Sequence, residues 1–277
     1  MDGNVRINHE LRINAFDKLN ELKKTGLSRN ETVDNINAEF HIPKGTLNDW
    51  YSGVSNPYGR RGELKDTPEL FYVLGALLGD GCPYYWKKGH RHLINISGEK
   101  DFTKKFTIKL SICSRNKVKN YINRRRNVWF VNIGNLQLYF LFRQIRGDIG
   151  LLSNLIAKGS HYKNSLEFIE GFFDAEGCVK IIKEKARKTP KICLDICCTN
   201  YKYLELIRTL LNDQLGITAR YSTQAAFLGK DGFVRKKAYH LRIYKKEFVR
   251  RFFENISTTK LKGEKSDAVK NWLNNGR

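Results

Sequence analysis

Two acidic residues, Asp80 and Glu176, end two similar short segments of the sequence. Residues 73–81 read Val-Leu-Gly-Ala-Leu-Leu-Gly-Asp-Gly, and residues 169–177 read Ile-Glu-Gly-Phe-Phe-Asp-Ala-Glu-Gly. Each segment is an apolar helical run with small residues four positions apart, which share one helix face and allow a second backbone to approach closely. If the two helices pack through these faces, Asp80 and Glu176 emerge side by side.

Two carboxylates at adjacent helix C-termini form an unfavourable arrangement, because a helix C-terminus is already partly negative and like charges repel. A divalent cation with oxygen ligands would offset this cost. The alternative is that the helices simply pack through glycines and both acids are solvated caps. Side chains that cap backbone amides stand at helix N-termini, however, so this alternative leaves both acids without a role.

The two segments resemble the paired motifs of the LAGLIDADG homing endonucleases, in the form that carries both motifs in one polypeptide. The resemblance implies an α+β fold of two pseudo-symmetric αββαββα halves, which meet at the motif helices and form a DNA-binding β saddle. It also implies that Asp80 and Glu176 bind catalytic Mg²⁺, two or three ions per pair of active sites, with help from the carbonyls of Gly79 and Ala175. Leu78 departs from the motif, at a position that is not a metal ligand. The implied reaction is site-specific double-strand DNA cleavage that leaves short 3′ overhangs.

The family also places a basic residue, usually lysine, near each active site. Lys163 precedes the second motif and is the candidate in one half, while Lys262 or Lys265, which follow Ile256, are candidates in the other. In a chain this rich in lysine, the alternative for each is an ordinary surface charge.

The composition favours a polyanionic partner. The 277 residues include 50 Lys and Arg against 28 Asp and Glu, a net charge of +22, and nucleic acid is the commonest partner of so basic a protein. The apolar runs are too short to span a bilayer and the N-terminus has no apolar signal core, so we expect no membrane association and an intracellular protein of the cytoplasm or nucleoid. The six cysteines lack zinc-site spacing and are expected to be reduced thiols.

The sequence after each motif repeats the same pattern of elements, predicting helix–hairpin–helix–hairpin–helix in each half. A sheet with one face packed on helices leaves its other face free, and in the family that face lies in the DNA major groove. Asp195 on this face either accepts from a cytosine amino group or balances a neighbouring lysine, and each basic residue is alternatively a solvated charge. The predicted groove-facing residues are Trp86, Arg91, Asn95, Lys180, Lys183, Arg187, Lys191, Asp195, Arg220, Arg235, Lys237 and Arg242.

The first 52 residues resemble a helix-turn-helix domain, an addition to the endonuclease fold. Val33, Ile36, Ile42, Leu47 and Trp50 are its predicted core, and a recognition helix is predicted over residues 44–52. The alternative is an accessory helical domain without DNA contacts. The predicted domains are residues 1–52, a basic linker 53–66, a first half 67–163 and a second half 164–277, and the predicted DNA contacts of the N-terminal region are Lys44, Thr46, Asn48, Arg60 and Arg61.

The sequence therefore predicts a homing endonuclease that binds a double-stranded target site. Because both halves lie in one chain, a monomer is expected. Met1 and the lack of splice-junction residues favour a free-standing or intron-encoded enzyme over an intein. One alternative is a non-catalytic transcription regulator, a class that joins a LAGLIDADG-like fold to a helix-turn-helix domain and is marked by loss of a motif acid. A second alternative is a maturase that binds its own intron RNA.

Overall fold

The chain forms two compact units, one with three N-terminal helices and one with two β-sheets and their helices. The computed structural model describes residues 9–59, 64–89, 91–114, 120–123, 128–183, 190–229 and 231–274. Arg60, Arg61 and Arg187, three of the predicted DNA contacts, lie outside the described residues.

The N-terminal unit packs three helices around one apolar core. The helices are α1 (His9–Lys24), α2 (Arg29–Phe40) and α3 (Lys44–Tyr51). Ser28 and Glu31 form a capping box at the start of α2, and His41 ends that helix in the left-handed conformation with a φ of 53°. All five predicted core residues are buried, together with Ala15 and Leu19 of α1. Apolar spacing in the sequence therefore sufficed to predict this core.

The second unit begins with the first motif helix and its sheet. Its elements are α4 (Pro68–Asp80), β1 (Gly81–Trp86), β2 (Arg91–Gly98), α5 (Lys100–Cys113), β3 (Asn120–Asn123), β4 (Val128–Ile133), α6 (Leu136–Gly147) and α7 (Ile149–Ala157). The strand order β1-β2-β4-β3 makes a four-stranded sheet, with all pairs antiparallel.

The second motif helix and its sheet follow in the same order. The elements are α8 (His161–Glu176), β5 (Gly177–Ile182), β6 (Lys191–Cys198), α9 (Tyr201–Leu215), β7 (Arg220–Gln224), β8 (Phe227–Leu228), β9 (Val234–Arg235), β10 (Ala238–Ile243), α10 (Lys246–Asn255) and α11 (Glu264–Asn274). The strand order β5-β6-β10-β7 repeats that of the first sheet, and β8 pairs with β9 as a separate hairpin.

Equivalent strand pairing shows that the two halves share one topology. Gly81 pairs with Ile96 in the first sheet, and Gly177 pairs with Ile196 in the second. The α+β fold of two similar halves is therefore confirmed. The sequence did not predict α7 or α11, which are additions to the repeated pattern.

The two motif helices α4 and α8 pack against each other through their glycines. A Cβ atom added to Gly171 would overlap the carbonyl oxygen of Tyr72, and one added to Gly75 would lie 2.9 Å from the Phe172 amide nitrogen. Only glycine allows backbones this close, because any side chain would separate the helices. Within the described ranges, every helix is too short or too polar to cross a bilayer.

Candidate metal centre and nucleic-acid face

The packing of α4 against α8 brings Asp80 and Glu176 together. These residues end the two helices, and one residue earlier a Cβ added to Gly79 would touch Ala175 and lie 2.9 Å from the Glu176 side chain. Desolvation raises the pKa of Asp80 to about 6, against the opposing charge of Lys260. Desolvation and the charge of Asp80 raise the pKa of Glu176 to about 7. The two carboxylates therefore repel each other, as the sequence pattern predicted.

These two carboxylates suit a divalent cation. In the described part of the chain, neither has a hydrogen-bond or salt-bridge partner, and both retain contact with solvent. A hard cation such as Mg²⁺ is bound by carboxylates and backbone carbonyls while it keeps several of its waters. Asp80 and Glu176, with the Gly79 and Ala175 carbonyls, are a donor set of this kind.

The charge of Lys260 acts on both carboxylates, and no pattern in the sequence marks this lysine. Its charge opposes the rise in the pKa of Asp80 and of Glu176. It lines a cavity with Gly177, Cys178 and Thr259, beside the predicted residues Lys262 and Lys265. Lys262 instead forms ion pairs with Asp101 at 2.6 Å and with Glu99 at 3.3 Å.

Lys163 does not lie at this centre. It is exposed in the first turn of α8, whereas Glu176 is the last residue of the same helix. Thirteen residues at 1.5 Å each separate the two by roughly 20 Å along the helix axis. The prediction was wrong because α8 begins before Lys163 rather than after it.

A buried polar network lies behind the two carboxylates, and Asp174 is its centre. The Asp174 side chain is inaccessible to solvent and accepts four hydrogen bonds. The donors are the Tyr72 hydroxyl at 2.8 Å, Lys105 Nζ at 3.0 Å, the Thr258 hydroxyl at 2.6 Å and the Thr259 amide at 2.7 Å. Because its oxygens are used in this way, Asp174 holds a chain segment in place rather than facing a ligand.

Glu170 ties the same segment to α8 one turn earlier. It lies 2.6 Å from Lys105 Nζ and accepts from the Ser257 amide at 3.2 Å. Lys105 also donates to the Ser257 carbonyl. Burial raises the pKa of Glu170, and the Lys105 charge partly offsets that effect. The segment 257–259 is thus fixed by two buried carboxylates and one partly buried amine.

The face of the second sheet that is turned away from the helices carries a basic cluster around Asp195. Asp195 is 2% exposed, pairs with Lys180, and lies 3.2 Å from Arg242 Nε and 3.0 Å from His240 Nδ1. Burial opposes its ionisation, but hydrogen bonds from Lys180 and His240 outweigh this and lower its pKa. Asp195 is not open to a cytosine amino group, and the alternative reading, that it balances a lysine, is the one that the structure supports. The role of His240 carried no signal in the sequence.

The corresponding face of the first sheet is neutral at the equivalent positions. Asn95 pairs with Asn132 across the strands and donates to it at 2.8 Å, where the second sheet pairs Asp195 with Arg242. Trp86 and Arg91 lie opposite each other at the far end of the β1–β2 hairpin, and both are exposed. The two sheets thus present different chemistry on the same framework.

The other predicted groove-facing residues fall into three groups. Arg220 pairs with Arg242 across β7 and β10, and both line a recess together with Lys191, whose amine lies 4.9 Å from the Tyr244 ring centre. Arg235 belongs to the β8–β9 hairpin and forms an ion pair with Asp231. Lys183 and Lys237 are exposed.

Three of the predicted contacts of the N-terminal region, Lys44, Thr46 and Asn48, lie on α3. Lys44 is exposed and pairs with Asp34 at 2.6 Å, and Thr46 is half-buried. Asn48 accepts from Arg29 Nε at 2.8 Å, so its carbonyl oxygen already has a partner within the unit.

The raised pKa values predict that metal binding strengthens as the pH rises. Protons compete with a cation for Asp80 and Glu176, so raising the pH from 6 to 8 should increase Mg²⁺ affinity roughly tenfold. Without metal, both folded-state pKa values lie above the unfolded values, so these groups favour folding at low pH. That stability is lost as the pH rises through about 6 to 7.

Calorimetric Mg²⁺ titrations and thermal melts across this pH range test the prediction. The control is the double variant Asp80→Asn/Glu176→Gln, whose melting temperature should lack this part of the pH dependence. Equal pH dependence of melting in the control and the wild type would contradict it.

Part of the second half of the chain is similar to a known family of domains. Residues 163–257 match the model of the LAGLIDADG-like domain. An uncharacterized protein of Methanocaldococcus jannaschii is 27% identical over 250 residues, which cover 85% of each chain. A second uncharacterized protein of that organism is 24% identical over 148 residues, which cover 49% of this chain and 54% of the relative.

Solved structures with a similar arrangement include two kinds of LAGLIDADG protein. The homing endonuclease I-DmoI in complex with DNA and manganese has a TM-score of 0.45 at 20% identity, covering 70% of this chain and 99% of that chain. The N-terminal LAGLIDADG domain of DUF199/WhiA has a TM-score of 0.48 at 15% identity, covering 77% and 89%. The match to the LAGLIDADG-like domain thus covers residues 163–257, which include the second motif helix α8, and the first acid-ended motif helix α4 packs against that helix.

Proposed function

We propose that this protein is a metal-dependent, site-specific endonuclease that cuts both strands of a DNA duplex and leaves short 3′ overhangs. The observation that carries the proposal is the meeting of Asp80 and Glu176 at the ends of two packed helices, without a hydrogen-bond or salt-bridge partner among the described residues. Structural carboxylates are normally paired or hydrogen-bonded, whereas catalytic ones are kept available in a desolvated site.

The residues of the site would divide the work as follows. Asp80 and Glu176, with the Gly79 and Ala175 carbonyls, would hold Mg²⁺, and Lys260 would place a positive charge beside both acids. When bound, the metal supplies an activated water and stabilises charge on the phosphate oxygens, which replaces a protein nucleophile. Lys262 and Lys265 line the cavity that Lys260 also lines, and they would contact phosphate.

The outer faces of the two sheets are the proposed DNA surface. On the second sheet, Lys180, Arg220 and Arg242 outnumber Asp195, and Arg side chains read guanine edges as well as phosphates. On the first sheet, the proposed DNA contacts are Trp86, Arg91 and Asn95, of which only Arg91 is charged. We therefore propose that the second half contributes most of the electrostatic attraction. The N-terminal unit, through α3, would add a second contact to the same DNA.

This surface predicts strong salt dependence. With many phosphates neutralised, DNA affinity should fall by two or more orders of magnitude between roughly 50 and 200 mM salt. The variant Arg220→Ala should lower the slope of log affinity against log salt by about one. Fluorescence anisotropy with a labelled duplex measures both, and an affinity that barely changes with salt would exclude a broad phosphate contact.

We also propose that the protein is a monomer, which light scattering at micromolar concentration tests.

The target site can be found by cutting a randomised duplex library with Mg²⁺ and sequencing the ends. A single recurrent site with paired cuts supports the endonuclease. Selection of a site that is bound tightly but never cut would favour the transcription regulator instead. If the protein prefers its own intron RNA over every duplex, the maturase becomes the better proposal.

A further inference from the structure

We propose that Asp174 is a positioning residue: its buried carboxylate fixes the segment 257–260 and thereby holds Lys260 beside Asp80 and Glu176. The inference rests on the proposed function of that pair. It assigns a role to the first acid of the sequence Asp-Ala-Glu-Gly, which lies only two residues from Glu176 on the same helix.

Burial and hydrogen bonding separate Asp174 from Asp80 and Glu176, which retain contact with solvent. The Asp174 side chain is fully buried, and its two oxygens accept from Tyr72, Lys105, Thr258 and Thr259. A buried carboxylate with four donors has no free lone pair directed at a cation, and moving it would leave those donors unpaired. It is therefore a fixed anchor.

The anchored segment leads directly to Lys260. The Thr258 hydroxyl donates to Asp174 at 2.6 Å and accepts from the Lys260 amide at 3.1 Å, so one side chain links the anchor to the lysine backbone. Lys105 secures the start of the segment by donating to the Ser257 carbonyl. Lys260 then lines the cavity beside Gly177, the residue after Glu176.

The first motif lacks this device. Its position equivalent to Asp174 is Leu78, a buried apolar residue that accepts no hydrogen bond through its side chain. The anchoring of a basic residue is thus a property of the second motif, while both motifs supply a metal-facing acid.

The test uses Tb³⁺, a luminescent cation with oxygen ligands, and needs no DNA. Lys260→Met removes a positive charge near the site, so Tb³⁺ affinity should rise roughly three- to tenfold. Asp174→Asn should also raise it, because the released segment carries Lys260 away. The loss of the Asp174 charge alone would have the opposite effect and weaken cation binding. In a Lys260→Met background, Asp174→Asn should therefore bring no increase.

Two further variants keep the test decisive. Thr258→Val removes only the hydroxyl link, so it should also raise the Tb³⁺ affinity, but by less than Asp174→Asn does. It takes the place of Asp174→Asn in the test if that variant folds poorly. Glu167→Gln is the matched control, because Glu167 pairs with Lys109 on the same helix interface, away from the segment 257–260. An equal effect of Asp174→Asn in both backgrounds, or the same gain from Glu167→Gln, would overturn the proposal.

Cleavage provides the second readout once a target duplex is in hand. Asp174→Asn and Lys260→Met should each lower the single-turnover rate by at least about tenfold with unchanged DNA affinity, and the double variant should be no slower than Lys260→Met. Fully multiplicative losses would overturn the positioning role. If the wild type cuts no DNA but the Tb³⁺ coupling is present, the proposed function fails and the positioning role stands.

Discussion

Replacing Asp80 by Asn or Glu176 by Gln is expected to lower the single-turnover rate of DNA cleavage by about a thousandfold or more. Each amide keeps the shape of the side chain but removes the anionic ligand, and several kcal/mol of charge stabilisation depend on the metal that it holds. DNA affinity should change by no more than about threefold, because the proposed DNA surface lies on the sheets. Single-turnover cleavage and anisotropy titration measure the two quantities separately.

The matched control is Asp213→Asn, which makes the same chemical change at an exposed position of α9. It should leave both the cleavage rate and the affinity unaltered. Cleavage within tenfold of the wild type after either substitution at the metal centre would contradict the assignment of that acid. A loss of DNA binding that matches the loss of cleavage would mean that the acid supports the fold or the surface instead.

The second large effect is expected from Gly171→Ala, at the contact between α4 and α8. The new methyl group would overlap the Tyr72 carbonyl, and backbone cannot rotate aside as a side chain does. The helices must separate, at a cost of about 3 kcal/mol or more, which corresponds to a fall in melting temperature of roughly 6–12 °C. The separation would also move Asp80 from Glu176 and weaken metal binding.

Gly45→Ala is the control for this prediction. Gly45 lies in the helix α3, and an added Cβ meets no atom within 4 Å, so the substitution should be neutral or stabilise by about 0.5–1 kcal/mol. Thermal melts of both variants with and without Mg²⁺ provide the comparison. An unchanged melting temperature for Gly171→Ala would mean that the helices do not pack as closely as the structure indicates.

The sequence predicted those parts of the molecule that depend on local periodicity. The small residues of the two motifs, spaced four apart, were sufficient to predict that α4 and α8 pack together and that Asp80 and Glu176 meet. The pattern of hairpins and helices that follows each motif likewise predicted a sheet in each half. Both signals are short in range and repeat in the two halves, so each copy supported the other.

The parts that the sequence did not predict depend on contacts between distant residues. Lys260 lies 180 positions after Asp80, and nothing in its neighbourhood marks it among many other lysines. Its place is fixed by Asp174, whose four partners come from three separate regions of the chain. Asp195 was expected on the open face, and it does lie there, but Lys180, His240 and Arg242 cover it.

The central claim is that Asp80 and Glu176 form one metal-dependent centre that cuts both DNA strands. Its most direct test is incubation of the wild type with a plasmid that carries the selected target site, with Mg²⁺ or with Ca²⁺, whose longer and looser coordination suits catalysis less. The claim predicts linear plasmid with Mg²⁺ alone, with the two cuts a few nucleotides apart and 3′ overhangs. Plasmid that stays supercoiled with Mg²⁺ although the protein is bound at its site would contradict it.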